Sequence, residues 1–410
     1  MTDSVSANAI PVHLQKDEDG WQLMRGGQPY FIRGAGGTHS LEELAAAGGN
    51  SIRTWSADGI GPLLDEAHAL GLTVAVGIWL EHERHGFDYG DAAAVAAQQQ
   101  KAREVVLQYK DHPAVLLWGV GNEVEEFAAG DDPRIWRAIN DIASMIKQLD
   151  PDHPTMAVTV ELGGDRIRYV HQVMTAIDIH GVNSYGGSAS VAERLAESGA
   201  TKPFIITEFG PVGFWEMPKT EWGAPIEQTS TQKAEFSRQS YEQSILAAPG
   251  RALGAYAFVW GYKMEATETW FGMFLKDGSR LGIVDVMSEF WKGSPPDNLA
   301  PLVEPLSIHG STKVAPGASL RVKAKAKDPE NGPLRARWVL RKEADDYAEG
   351  GDYRPDIPDI NGVVVEQTPF EAEVRMPLEA GAYRLFYYVY DEHGGAATAN
   401  LPILVEGAAP

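Results

Sequence analysis

No cysteine occurs anywhere in the 410 residues. That removes disulfides, thiolate metal sites and cysteine nucleophiles together. No apolar run approaches the ~20 residues that cross a bilayer. Basic residues are scarce beside acidic ones, 35 against 57, so the net charge is −22. A chain of that sign is repelled by nucleic acid and by anionic membranes. The first ten residues, Met1 to Ile10, lack the basic and apolar regions of a signal peptide. The compartment stays open: cytoplasmic as the chain stands, periplasmic or secreted if a signal peptide has been cleaved. Internal repeats and low-complexity tracts are also lacking.

What is present is a rhythm. From Tyr30 onward, short apolar strands alternate with amphipathic helices, and glycines such as Gly48 and Gly71 stand where the helices should stop. Strands are expected at Tyr30–Gly34, Ser51–Trp55, Leu72–Trp79, Ala114–Val120, Pro154–Glu161, Ile177–Tyr185, Phe204–Gly210 and Leu253–Trp260. Eight strand–helix pairs in about 270 residues have the size of a (β/α)8 TIM barrel. A doubly wound open sheet is disfavoured, because no Gly-rich phosphate loop follows the first strand. After Gly293-Ser294-Pro295-Pro296 the helical period ends and alternating strands take over, as in Tyr383–Tyr390. An all-β immunoglobulin-like sandwich is expected there. The division is therefore 1–27 as an N-terminal extension, 28–294 as the barrel and 297–410 as the sandwich.

In a parallel barrel the chemistry sits at the carboxyl ends of the strands. Two of those ends carry a glutamate directly after a buried run: Trp118-Gly119-Val120-Gly121-Asn122-Glu123, and Phe204-Ile205-Ile206-Thr207-Glu208. Retaining glycoside hydrolysis requires such a pair, one carboxyl as proton donor and one as nucleophile, about 5 Å apart. Other strand ends add Arg53, Trp55, Trp79, His82, Asn183, Tyr185 and Trp260, polar groups for sugar hydroxyls and indoles for a sugar face. His180 shares a strand with Tyr185, and either could point into the core. The long, aromatic-rich segments after the seventh and eighth strands contribute Trp215 and Trp270, read as walls of sugar subsites. The run Trp79-Leu80-Glu81-His82-Glu83-Arg84-His85 invites a metal. It is one residue short of the H-E-x-x-H pattern and follows a strand, so a substrate-binding loop is the reading taken, with no metal and no cofactor.

Asn122-Glu123 together with Thr207-Glu208-Phe209-Gly210 resembles clan A retaining glycoside hydrolases, closest to the barrel domain of glycoside hydrolase family 2, over about Gln28 to Trp291. The resemblance implies Glu123 as acid/base and Glu208 as nucleophile. It also implies Asn122 on the substrate 2-hydroxyl, and Arg53 holding the nucleophile in its charged form. Tyr185 matches the tyrosine that touches the nucleophile, and Trp260 the platform under the reacting sugar. The sandwich domains that precede the barrel in typical family 2 enzymes have no counterpart here, where about 27 residues come before the first strand. A barrel followed by an immunoglobulin-like domain is similar to some β-1,3-glucanases of the clan. The expectation is a retaining hydrolase of β-glucan or β-gluco-oligosaccharides. A glucanosyltransferase of the same mechanism is the alternative, and a non-catalytic glycan-binding protein the alternative of another class. Oligomeric state is left open.

Overall fold

The computed structural model describes residues 8–126, 131–347 and 351–407. The chain forms two compact units, Met1–Phe209 with Gln239–Phe258, and Gly210–Arg238 with Val259–Pro410.

In the first unit, β1 (Val12–Asp17), β2 (Gly20–Arg25) and β3 (Gln28–Pro29) form a small antiparallel sheet. The sequence pattern had left these residues as an extension. They make a floor: Val12 and Leu23 join the core cluster of Ile32, Leu117, Met156, Ile205 and Tyr256. Backbone bonds fix that floor to the segments entering the barrel strands, Val12 N–H to Asp152 O and Trp21 N–H to Gly250 O, both 2.7 Å. Gly20 and Gly250 are obligatory here, since a Cβ on Gly20 would lie 2.4 Å from Gly250 O.

Eight parallel strands follow and close on themselves: β4 (Ile32–Gly36), β5 (Ser51–Arg53), β6 (Thr73–Ile78), β7 (Val115–Val120), β8 (Thr155–Val160), β9 (Ile179–Asn183), β10 (Phe204–Phe209) and β11 (Ala252–Phe258). Closure is made by β11 pairing with β4, Gly254 opposite Ile32 through Phe258 opposite Gly36. The interleaved helices are α1 (Leu41–Ala46), α2 (Gly61–Ala69), α3 (Ala92–Tyr109), α4 (Pro133–Leu149), the short α5 (Arg166–Arg168), α6 (Val191–Glu197) and α7 (Ser230–Tyr241). Helix α4 shows how sequence sets them. Asp132 caps its first turn by accepting from Arg134 N–H, Pro133 opens it, and Ile135, Trp136, Ile139, Ile142, Ala143 and Ile146 form its buried face. All six residues of β7 are buried, as a strand covered on both faces must be. The strand-period reading is therefore right in type, with ends differing by at most two residues.

The second unit holds the last helix, α8 (Gly282–Lys292), preceded by β12 (Arg280–Leu281). Its sandwich strands are β13 (Leu302–Val303), β14 (Ser307–Ile308), β15 (Lys313–Val314), β16 (Ser319–Lys323), β17 (Ala326–Lys327), β18 (Arg335–Lys342), β19 (Val364–Gln367), β20 (Glu371–Arg375), β21 (Gly381–Tyr390) and β22 (Gly395–Val405). One sheet runs β12-β22-β21-β18, with β15 also on β22; the other runs β14-β16-β20-β19. Val322 and Val374 from one sheet meet Leu340, Leu385, Tyr387 and Ala399 from the other in a common core. This is the arrangement of an immunoglobulin-like sandwich. Buried polar groups tie its strands to the rest of the unit. The Glu227 carboxylate accepts from Lys233 Nζ, Thr267 Oγ1, Thr269 Oγ1 and Asn400 Nδ2, and Arg384 pairs with Glu343 while donating to Pro225 O.

Candidate active site

Four barrel strands, β5, β7, β9 and β10, bring one polar network to their carboxyl ends. Glu208, at the end of β10 and 6% exposed, is held from both oxygens. Its Oε1 accepts from Arg53 Nη1 at 2.8 Å and from Trp55 Nε1 at 2.7 Å; its Oε2 accepts from Tyr185 OH at 2.7 Å. Arg53 donates its other arm to Asn122 Oδ1 at 2.6 Å. Asn183 Nδ2 donates to that same oxygen at 3.1 Å and to Glu123 Oε1 at 2.7 Å. Thr207 Oγ1 completes the set by donating to Asn183 Oδ1 at 2.7 Å, which fixes the amide with its nitrogen toward Glu123. Arg53, Trp55, Asn122, Glu123, Asn183, Tyr185 and Glu208 thus form one connected site. Thr207 belongs to it too, though nothing in the residue pattern singled it out.

Local sequence makes the geometry possible. Gly77 on β6 lies so close to the chain leaving β5 that a Cβ there would be 2.3 Å from Thr54 O. The Trp55 indole is then edge-on to Phe258 at 5.8 Å, and Tyr185 is edge-on to the same ring at 5.9 Å. Phe258 is therefore a wedge between two groups that bind one carboxylate. After β7 the chain turns sharply: Gly121 has φ 75° and Glu123 φ 51°. A left-handed backbone at a glutamate is strained, by about 1–3 kcal/mol, and persists only where its surroundings enforce it. Glu123 N–H bonds to Val158 O at 3.0 Å, and Glu126 N–H closes the turn on Glu123 O at 3.1 Å.

The two carboxylates have unlike environments. Glu208 receives three charge-assisted bonds. Glu123 receives one, from Asn183, and burial together with the neighbouring Glu208 carboxylate pushes it well above the usual carboxylate range. Glu123 is thereby a group fit to donate a proton.

The remaining expected residues are not part of this hydrogen-bonded network. His180 is fully buried inside the barrel, with both ring nitrogens used. Backbone N–H groups of Thr201 and Lys202 donate to His171 Nδ1, so His171 Nε2–H donates to His180 Nδ1 at 3.0 Å, and His180 Nε2–H donates to Thr159 Oγ1 at 2.9 Å. That chain of neutral rings makes His180 a core residue and not a sugar ligand. Trp79, 37% exposed after β6, stacks on buried His82 with centroids 5.1 Å apart. In the second unit, Trp260 is a core side chain, 1% exposed and edge-on to Phe274 at 4.9 Å. Trp270 is equally buried and donates to Val212 O at 3.0 Å, whereas Trp215 is 52% exposed beside Phe214. Among the described residues no group of three or more His, Asp and Glu gathers as metal ligands do.

The fold is a closed (β/α)8 barrel with this network at the carboxyl ends of its strands. Residues 58–218 match the model for "Glycosyl hydrolases family 2, TIM barrel domain". A beta-glucuronidase of Streptococcus agalactiae serotype V is 28% identical over 230 residues, covering 47% of this chain and 37% of that protein. The beta-glucuronidase of Bacteroides uniformis superposes with a TM-score of 0.51 at 14% identity, covering 97% of this chain and 48% of the other. A GH2 beta-galacturonidase from Eisenbergiella tayi bound to galacturonate gives 0.52 at 17% identity, covering 70% and 54%. At these identities the structural likeness carries the fold. The chain spans between about a third and just over half of the length of these relatives.

Proposed function

We propose that the barrel cleaves a β-glycosidic bond with retention of configuration. The observation that carries this reading is the split between Glu208, held by Arg53, Trp55 and Tyr185, and Glu123, raised by burial and by Glu208 itself. In the first step the Glu208 carboxylate forms a bond to the anomeric carbon. The bond from that carbon to the leaving oxygen breaks, and Glu123 gives its proton to that oxygen. In the second step Glu123, now a carboxylate, takes a proton from water as the water oxygen displaces Glu208. Asn122 is aimed by Arg53 and Asn183 and serves to hold the substrate 2-hydroxyl. Trp79, exposed and stacked on His82, is the aromatic face we assign to sugar binding.

For the substrate we favour a neutral sugar, a β-glucan or its oligosaccharides. Cations near the strand ends already carry carboxylate partners: Arg53 with Glu208, Arg166 with Glu125, Arg194 with Glu161. A second reading, a β-linked uronic acid, draws on the names of the relatives, which act on glucuronides and galacturonides. An acceptor sugar in place of water would make the same chemistry a transglycosylation.

The test is a product profile for the wild type and Glu208→Gln on β-glucans, β-gluco-oligosaccharides and β-uronides. Shorter products from one class, lost in the variant, establish substrate and nucleophile. Products longer than the substrate establish transfer to an acceptor. A variant with full activity removes Glu208 from the mechanism, and glycan binding without turnover by the wild type establishes a binding protein.

A further inference from the structure

Two residues after Glu123 in the same turn, Glu125 belongs to a charged pair with no place in the chemistry above. Glu125 is 1% exposed and Arg166 8%. Glu125 Oε1 accepts from Arg166 Nε at 2.9 Å and from the backbone N–H of Val160 at 3.0 Å; Arg166 Nη1 donates to Gly163 O at 2.9 Å. Its second oxygen, Oε2, is buried without a hydrogen-bond partner. Two side chains two residues apart in one turn thus grip different strands. Glu123 hangs on Asn183 of β9, and Glu125 on the last residue of β8 and on α5.

Burying a charged pair is costly, and an apolar pair of similar volume often serves stability as well. The pair therefore calls for a reason other than stability, and the backbone supplies one. The turn from Gly121 to Glu126 holds Glu123 at φ 51°, a conformation that relaxes unless both ends are tied. One end continues from β7, and the other is tied by Glu125. We propose that Glu125 and Arg166 are positioning residues for Glu123, pinning the strained turn so that the Glu123 carboxyl stays at Asn183 and faces the reacting bond.

This inference rests on Glu123 being the proton donor. Besides Glu125 and Glu126 on its own turn, the groups that act on Glu123 are Asn183 of β9, which donates to it, and Glu208 of β10. Arg53 from β5 bonds to Glu208 and Asn122. Glu125 adds negative charge beside Glu123, so its removal lowers the proton affinity of Glu123.

The experiment uses Glu125→Gln, the apolar double variant Glu125→Met/Arg166→Met, and Arg166→Lys as the conservative substitution. Amide exchange at residues 121–126 is measured beside that of β7 and β8. Turnover is measured on two glycosides of the accepted sugar, one with an activated aryl leaving group and one with an alkyl or sugar leaving group. In the double variant we expect faster exchange confined to the turn. Its kcat should fall about tenfold or more on the poor leaving group and hold within about threefold on the activated one, which needs little protonation. Arg166→Lys should restore most of the rate, and Glu125→Gln should move the basic limb of the kcat/KM profile to lower pH. Unchanged exchange in the turn overturns the proposal, as does an equal loss on both leaving groups that follows a lowered melting midpoint. A wild type that cleaves no glycoside removes Glu123 as proton donor, and amide exchange still decides whether the pair holds the turn.

Discussion

Arg53 and Glu208 stand 155 positions apart in the chain and 2.8 Å apart in the barrel. The guanidinium divides its arms between Glu208 and Asn122, so one planar group sets the proposed nucleophile and the proposed hydroxyl-binding amide in a single geometry. Lysine has no second arm to do this. Arg53→Met should lower kcat/KM by about a hundredfold or more, from two bonds to charged or tightly oriented groups at about 1.5–3 kcal/mol each. Arg53→Lys should recover less than about a tenth of the loss. Steady-state kinetics on the substrate found in the product profile check both, and near-wild-type activity in Arg53→Met would sink the assignment.

Glu123 makes a prediction about stability as well as rate. Its proton affinity in the folded chain exceeds the ordinary value of 4.5, so the folded state binds the proton more tightly than the unfolded state. The stability this gives is complete below pH 4.5 and is lost as pH rises through the folded value. Glu123→Gln keeps an amide oxygen for Asn183 and never ionises. Its melting temperature should exceed the wild type's by a few degrees at pH 8, with the gain vanishing near pH 4. A gain that is flat across this range would show that ionisation of Glu123 is not its source.

The histidine chain titrates in the opposite direction. Burial takes His171 down to about 4 from 6.5, and buried His180 is also well below its usual value. Both rings fold neutral, so their stability is present above pH 6.5 and is lost as pH falls toward about 4. Acid unfolding should therefore begin below pH 6.5. In His171→Gln that early slope should shrink, as followed by circular dichroism at a series of pH values.

In the second unit, Arg384→Met would leave the Glu343 carboxylate buried without its partner and take a donor from Pro225 O and Asn400. We expect a loss of about 3–5 kcal/mol in unfolding free energy, measured by urea denaturation. A loss below about 1 kcal/mol would mean that the polar hub contributes little.

The catalytic strands were legible because each is a buried run that ends in a polar residue, a pattern with only one sensible place in a parallel barrel. Arg53 and Tyr185 could be read for the same reason, since they terminate strands. His180 could not be placed by pattern, because a strand buried on both faces gives no alternation to say which residue faces a ligand. The β1–β2 hairpin was readable and went unread: Asp19-Gly20 stands between Val12-His13-Leu14-Gln15 and Trp21-Gln22-Leu23, a turn between alternating runs. Thr207 and the Glu125–Arg166 pair had no local signal. Each acts through a partner 24 or 41 positions away, and sequence spacing says nothing about such meetings. Trp260, which its place after a strand suggests as a platform, is a core side chain packed on Phe274 and Trp291.

The Glu227 hub also has a place in time. Its carboxylate is made long before Asn400, the partner 173 residues further along. At about 5–20 residues per second, a ribosome needs roughly ten to thirty seconds to cover that distance. Early in that interval β11 is made and the set of barrel strands becomes complete, while β22, which carries Asn400, is still to come. The nascent chain therefore passes through a stage with its parallel strands all present and its sandwich strands without their last partner, which is the stage at which a chaperone would find it.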